Sequence, residues 1–313
     1  MPAAFVFPGQ GSQAVGMGKA LAETFAIARQ VFDEVDSALG DKLSTVMRDG
    51  PADKVTLTEN AQPALVAVSL AAMRVLETEA GVNVARDAKF VAGHSVGEYA
   101  ALAAAESITL ADAVRLVRIR GRSMQQAVPV GVGAMAALLG VEFEQAVEIA
   151  AEAAQGEIVQ AANDNGGGQV VVSGHKAAVE RAVEIAKAKG VRAMMLPVSG
   201  PFHSALMRPT AEVMAEALSK VSIKPPCVPL IANVTAGPVT EPAQIVRGLV
   251  EQVTGTVRWR ESIAYMAAQG VTAFYEVGSG KVLSGLVKRI AEGASGVSIG
   301  TPDDVAAFKA ARA

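Results

Sequence analysis

The sequence predicts an α/β fold with a small β-α-β-β-α-β unit inserted in a larger body. Three observations carry that expectation. Short apolar strand signals alternate with helix-length apolar patterns along the chain. A G-x-S-x-G pentapeptide, Gly93-His94-Ser95-Val96-Gly97, sits between a strand signal and a helix-prone run. Half of the 313 residues are hydrophobic, Ala, Val and Gly dominate, and only 4% are aromatic, which is a helix-rich α/β composition.

Taken in order, residues 3–7 read as a short buried strand running into the tight loop Pro8-Gly9-Gln10-Gly11-Ser12-Gln13. Helical patterns follow over residues 19–38 and 60–79. Residues 89–92 form the strand before the pentapeptide, and 98–105 the helix after it. Residues 110–127 are helical with Thr109 as N-cap, and carry Arg115, Arg118, Arg120 and Arg122. From Gly133 the order becomes strand (134–139), helix (143–154), strand (158–162), strand (169–173), helix (177–189), strand (192–197). That is the ferredoxin-like split β-α-β order. The expected division is a small subdomain over 130–198 inserted in a large one over 1–129 and 199–313. Beyond it, 204–221 is helical, 228–233 and 273–277 are strands, and 249–253 and 262–268 are helical. A last helix follows Ser279-Gly280, and 297–299 forms a terminal strand, leaving Asp303 and Asp304 in a terminal loop.

Composition narrows the function classes. A net charge of −3 gives no reason to expect nucleic-acid binding. The N-terminal stretch has no basic region followed by a long apolar run, and no apolar stretch approaches the length of a membrane span. One cysteine, Cys227, excludes an intramolecular disulfide and fits a reducing cytoplasm; its prolines mark it as a packing residue at a strand start. Three scattered histidines and no clustered carboxylates leave no expected metal site. Dinucleotide and P-loop fingerprints are absent.

Ser95 stands at the centre of the pentapeptide. Such a turn either exposes a nucleophilic hydroxyl beside helix N-terminal amides or merely caps the following helix. A nucleophilic serine needs a histidine to take its proton. His94 is adjacent and should point away, and His175 starts a helix in the insert, where a capping or surface role is expected. His203, in Gly200-Pro201-Phe202-His203-Ser204, is favoured by elimination. No Asp or Glu announces itself as the third member. Arg120 lies on an otherwise apolar helix; a buried arginine there would suit a carboxylate-bearing acyl group, whereas four arginines on one helix more often make a solvated face.

Together these pieces resemble the malonyl-CoA:acyl carrier protein transacylase family over residues 3–300. The matching segments are Phe7-Pro8-Gly9-Gln10-Gly11-Ser12-Gln13, Gly93 through Leu102, Arg118-Ile119-Arg120-Gly121, Ala162-Asn163-Asp164-Asn165, Gly200 through Ser204, and Asn233-Val234-Thr235. The resemblance implies a hydrolase-like α/β body with a ferredoxin-like insert. It implies that Ser95 carries the acyl group as an ester, that His203 is general base and then acid, and that the Gln13 and Val96 amides form the oxyanion hole. It also implies that Arg120 pairs with the malonyl carboxylate and that the main-chain carbonyl of Gln252 orients His203. Asn163 matches a polar position at the site edge. Phe202 resembles a residue that disfavours an α-methyl branch, and His94 is a possible substrate contact. No bound cofactor is implied: coenzyme A enters as the thioester substrate and acyl carrier protein is the acceptor. Arg122, Lys187, Lys189 and Arg192 are candidates to meet that acidic partner. A cytoplasmic monomer in fatty acid synthesis is expected. A trans-acting polyketide acyltransferase, a Ser–His thioesterase and a non-catalytic scaffold are the alternatives.

Overall fold

A computed structural model describes residues 2–198 and 200–312. The predicted segment limits Met1, Ser199 and Ala313 lie outside the described residues. The strands are β1 (Ala3–Phe7), β2 (Phe90–Gly93), β3 (Gly133–Leu139), β4 (Val159–Gly166), β5 (Gln169–His175), β6 (Arg192–Met195), β7 (Leu230–Ile231), β8 (Pro238–Val239), β9 (Val257–Arg258), β10 (Ala273–Val277) and β11 (Ser295–Ile299). They form two sheets in a mixed α/β architecture.

The first sheet runs β11-β10-β1-β2-β7-β8, with only the β7–β8 pair antiparallel. Every residue of β1 and β2 is buried, as strands covered by helices on both faces must be. The pleat sends Phe5 and Phe7 into one core and Ala4 and Val6 into another on the opposite face. Because β1 and β2 are parallel neighbours, the loops that leave Phe7 and Gly93 emerge at the same edge of the sheet. That topology brings the early glycine loop to the pentapeptide.

The second sheet runs β6-β3-β5-β4-β9. Its alternation is again informative. Ala134, Ala136 and Leu138 pack under helices Phe143–Ala154 and Lys176–Ala188, whereas Met135 and Val171 face the main core. Strand β9, which lies outside 130–198, pairs with β4 in parallel and so stitches the later chain into this sheet.

Several segments differ from expectation for local reasons. The pattern over 19–38 is two helices, Lys19–Thr24 and Ala26–Leu39, separated by an extended Phe25 that packs on the core. The pattern over 204–221 opens as a 3₁₀ turn, Ala205–Met207, before helix Arg208–Leu218, where Pro209 suits a first helical turn. The expected terminal loop is helix Pro302–Arg312. Thr301 Oγ1 accepts from the Asp304 amide at 3.2 Å and Asp304 Oδ2 from the Thr301 amide at 2.9 Å, a reciprocal capping box. Cys227 is exposed and lies three residues before the start of β7; it is not a packed strand residue. No helix is long and apolar enough to cross a membrane, and no metal-ligand cluster occurs among the described residues.

Candidate active site

Ser95 occupies the turn between β2 and helix Gly97–Ala104 with φ of 52°, a left-handed backbone that a non-glycine residue adopts only under constraint. The flanking glycines supply that constraint by allowing contact of backbone on backbone. A Cβ at Gly93 would lie 1.9 Å from the Gly97 carbonyl carbon, and one at Gly97 would lie 2.2 Å from the Phe7 oxygen. Asn233 Oδ1 accepts from the Ser95 amide at 2.7 Å, and Gln252 Nε2 donates to the Ser95 carbonyl at 3.0 Å. Both peptide groups of the strained residue are thus pinned by side chains.

Ser95 Oγ lies 2.7 Å from His203 Nε2. His203 Nδ1 lies 2.8 Å from the main-chain oxygen of Gln252. A carbonyl can only accept, so Nδ1 carries the proton and Nε2 presents its lone pair to the serine hydroxyl. Burial, reinforced by the Arg120 charge, pulls the His203 pKa down to about 3. The imidazole is therefore neutral and ready to accept a proton at neutral pH.

Arg115 and Arg122 face solvent, but Arg118 and Arg120 are buried. Arg118 is a structural ion, bound to Asn60 Oδ1 and, at 2.9 Å, to Asp41 Oδ2. Arg120, 1% exposed, points into the site. Its Nη2 donates to Ser95 Oγ at 3.1 Å and to Gln252 Oε1 at 2.9 Å, and its Nη1 donates to Gln62 Oε1 at 2.9 Å. Its Nε has no partner among the described residues. A buried cation with no direct carboxylate partner and donors to spare is prepared for an incoming anion.

The remaining expected residues divide. Among the described residues the main-chain amides of Gln13 and Val96 have no hydrogen-bond acceptor. The Gln13 side chain closes its own loop by accepting from the Gly11 amide at 2.7 Å, and Ser279 Oγ anchors that loop by donating to the Ser12 carbonyl at 2.7 Å. Phe202 is buried in the main core directly before the base. Asn163 is buried on β4 beside a bulge. His94 turns from the serine toward Asn165 Oδ1, 2.9 Å from its Nε2, and stands edge-on to Trp259. His175 is the N-cap residue of its helix by position, yet its imidazole caps nothing: Nδ1 accepts from the Ile158 amide at 2.9 Å. Arg122, Lys187 and Lys189 are engaged with Glu59, Glu184 and Glu152 on the surface.

Sequence reasoning missed four contributors: Gln62, Glu98, Asn233 and the side chain of Gln252. Glu98 is 1% exposed, and its Oε2 accepts from Gln252 Nε2 at 2.9 Å and from the Asn233 amide at 3.1 Å. Burial pushes its carboxyl up to about 7, against the opposing pull of those hydrogen bonds and the Arg120 charge. Gln62 was legible in principle, as an uncharged polar residue within an otherwise apolar helical run.

The acyl transferase domain family profile matches residues 4–301. A malonyl CoA-acyl carrier protein transacylase of Bacillus subtilis strain 168 is 47% identical over 304 residues, covering 96% of this chain and 94% of the relative. One from Escherichia coli K12 is 46% identical over 305 residues, with 97% of each covered. The chain belongs to the malonyl-CoA:acyl carrier protein transacylase family. Among solved structures, an acyl-carrier-protein S-malonyltransferase from Bartonella henselae superposes with a TM-score of 0.97 at 55% identity, covering 99% of both chains. A malonyl-transacylase in complex with its type II PKS acyl-carrier protein gives a TM-score of 0.96 at 39% identity, covering 99% of this chain and 100% of that one.

Proposed function

We propose that this protein transfers a malonyl group from malonyl-CoA to the phosphopantetheine thiol of acyl carrier protein through an ester on Ser95. The observation that carries it is the buried Arg120 guanidinium 3.1 Å from the Ser95 hydroxyl. An acyl group on that oxygen lies beside a desolvated cation, the environment a terminal carboxylate needs and an alkyl chain avoids. In the first half-reaction Ser95 Oγ attacks the thioester carbonyl while His203 Nε2 takes its proton. The carbonyl oxygen becomes an oxyanion facing the free amides of Gln13 and Val96. Collapse breaks the C–S bond, and the imidazolium returns the proton to the departing coenzyme A sulfur. The second half-reaction runs the same steps backwards with the carrier-protein thiol as nucleophile. Thioester, ester and thioester are close in free energy, so the burden on the protein is to favour thiol over water.

Finer features support the same reading. The parallel sheet with its strand–turn–helix serine fits a hydrolase-like body. The order β6-β3-β5-β4 with two helices on one face fits a ferredoxin-like insert over 130–198, between parts 1–129 and 199–313. Phe202 beside the base would crowd an α-methyl branch, a preference worth about 1–3 kcal/mol. Asn163 and His94 are proposed as substrate contacts at the edge of the site. A monomer is the expected working unit.

Intact mass after incubation with malonyl-CoA alone tests this function. A single malonyl adduct is expected, absent in Ser95→Ala and discharged by carrier-protein thiol. Rapid hydrolysis of malonyl-CoA without an acceptor would point to a thioesterase instead.

A further inference from the structure

Gln252 does two separable things. Its main-chain oxygen holds the base, and its side-chain amide faces the guanidinium. Which way that amide points decides whether the second contact attracts or repels. Oε1 faces Arg120 Nη2, and Nε2 faces Glu98 Oε2 and the Ser95 carbonyl. Turned over, the NH₂ would meet the arginine donors and the oxygen would meet two acceptors. Among these partners, Glu98 is the one whose single oxygen, Oε2, accepts from both Gln252 Nε2 and the Asn233 amide. Gln252 is completely buried, so no water can satisfy the wrong orientation.

We propose that Glu98 is a positioning residue for acyl selectivity. It locks the Gln252 amide so that Arg120 is held beside Ser95 Oγ, where a malonyl carboxylate is recognised; the inference rests on the function proposed above. Glu98 makes no hydrogen bond to the serine hydroxyl, the base or the guanidinium. Its loss leaves His203 held by the Gln252 main-chain oxygen and the Ser95 amide held by Asn233 Oδ1, while freeing the Gln252 amide to turn and so loosening Arg120. The consequence is selective: charged acyl groups suffer and uncharged ones are spared.

Initial rates of Ser95 loading from malonyl-CoA and acetyl-CoA test this in the full-length protein. Glu98→Leu should lower the malonyl-to-acetyl ratio about tenfold, and Glu98→Gln, whose carbonyl can accept the same two bonds, should keep it within about threefold of the parent. Equal losses for both acyl groups in Glu98→Leu, or a Gln variant as impaired as the Leu variant, would overturn the proposal. If Glu98→Leu fails to fold, Gln252→Met carries the test, since it removes the amide and keeps the main-chain oxygen. Its ratio should also fall about tenfold, and an unchanged ratio overturns the proposal. A parent protein that never acquires malonyl would sink the function itself. A parent that loads, with variants of unchanged ratio, sinks only the role of Glu98.

Discussion

Two halves of one site meet at Ser95 Oγ, and the chain builds them differently. The nucleophile half is made mostly of backbone: a strained turn, glycines in contact, free amides and a main-chain oxygen behind the base. The guanidinium half is made of side chains. Arg120, Gln62, Glu98 and Gln252 arrive from four helices, and the Arg120–Gln252 bond spans 132 residues of sequence. The difference teaches that reaction and selectivity rest on separate supports. Damage to the first should strike every acyl group, and damage to the second should strike by charge.

The largest test removes the meeting point. Ser95→Ala should abolish loading from malonyl-CoA and acetyl-CoA alike, by on the order of 10⁴-fold or more in single-turnover rate. Residual loading of one acyl group but not the other would break the division between the halves. Arg120→Ala comes next. Malonyl loading should fall about 100-fold while acetyl loading holds or rises, because a buried cation no longer opposes an uncharged group. Equal loss for both would place Arg120 in the reaction half.

Legibility in the sequence follows the same line. The elbow could be read because its requirements are local: strand, glycine, serine, glycine and helix within a few residues. The β-α-β order was likewise visible in hydrophobic periods. The capping box Thr301-Pro302-Asp303-Asp304 is equally local and equally legible. By contrast, nothing near Arg120 distinguishes it from Arg118, two positions away and also buried, yet one reaches the serine and the other Asp41. Their difference is set by helix rotation against helix Thr58–Ala80, which residue types alone do not encode. Glu98 stands beside the elbow, but its partners lie 135 and 154 residues away.

The backbone character of the nucleophile half makes it brittle to a single carbon. Gly97→Ala places a methyl 2.2 Å from the Phe7 oxygen, where no side chain can step aside. A stability loss of about 3 kcal/mol or more is expected in chemical denaturation, with β1 and the elbow pushed apart. A well-folded, fully active Gly97→Ala protein would show that the elbow is softer than its contacts suggest.

The smallest effect separates the halves by pH. In the folded protein the Glu98 carboxyl titrates near 7 rather than at its usual 4.5, so the native state holds that proton more tightly than the unfolded chain. The stability this contributes is full below about 4.5 and is lost as pH rises through about 7. His203 acts with the opposite sign: its folded pKa of about 3 lies below the ordinary 6.5, so stability is lost as pH falls below that value. The two slopes oppose one another between 4.5 and 6.5 and blur any simple profile of the parent. Glu98→Gln removes only the first. The stability of this variant relative to the parent should therefore rise between pH 5 and pH 8, by on the order of 2–3 kcal/mol, in paired denaturant titrations. A difference that stays flat across that range would mean that Glu98 is ionised throughout. The buried carboxylate would then stand as a permanent counter-charge to Arg120, and an incoming malonyl group would have to compete with it.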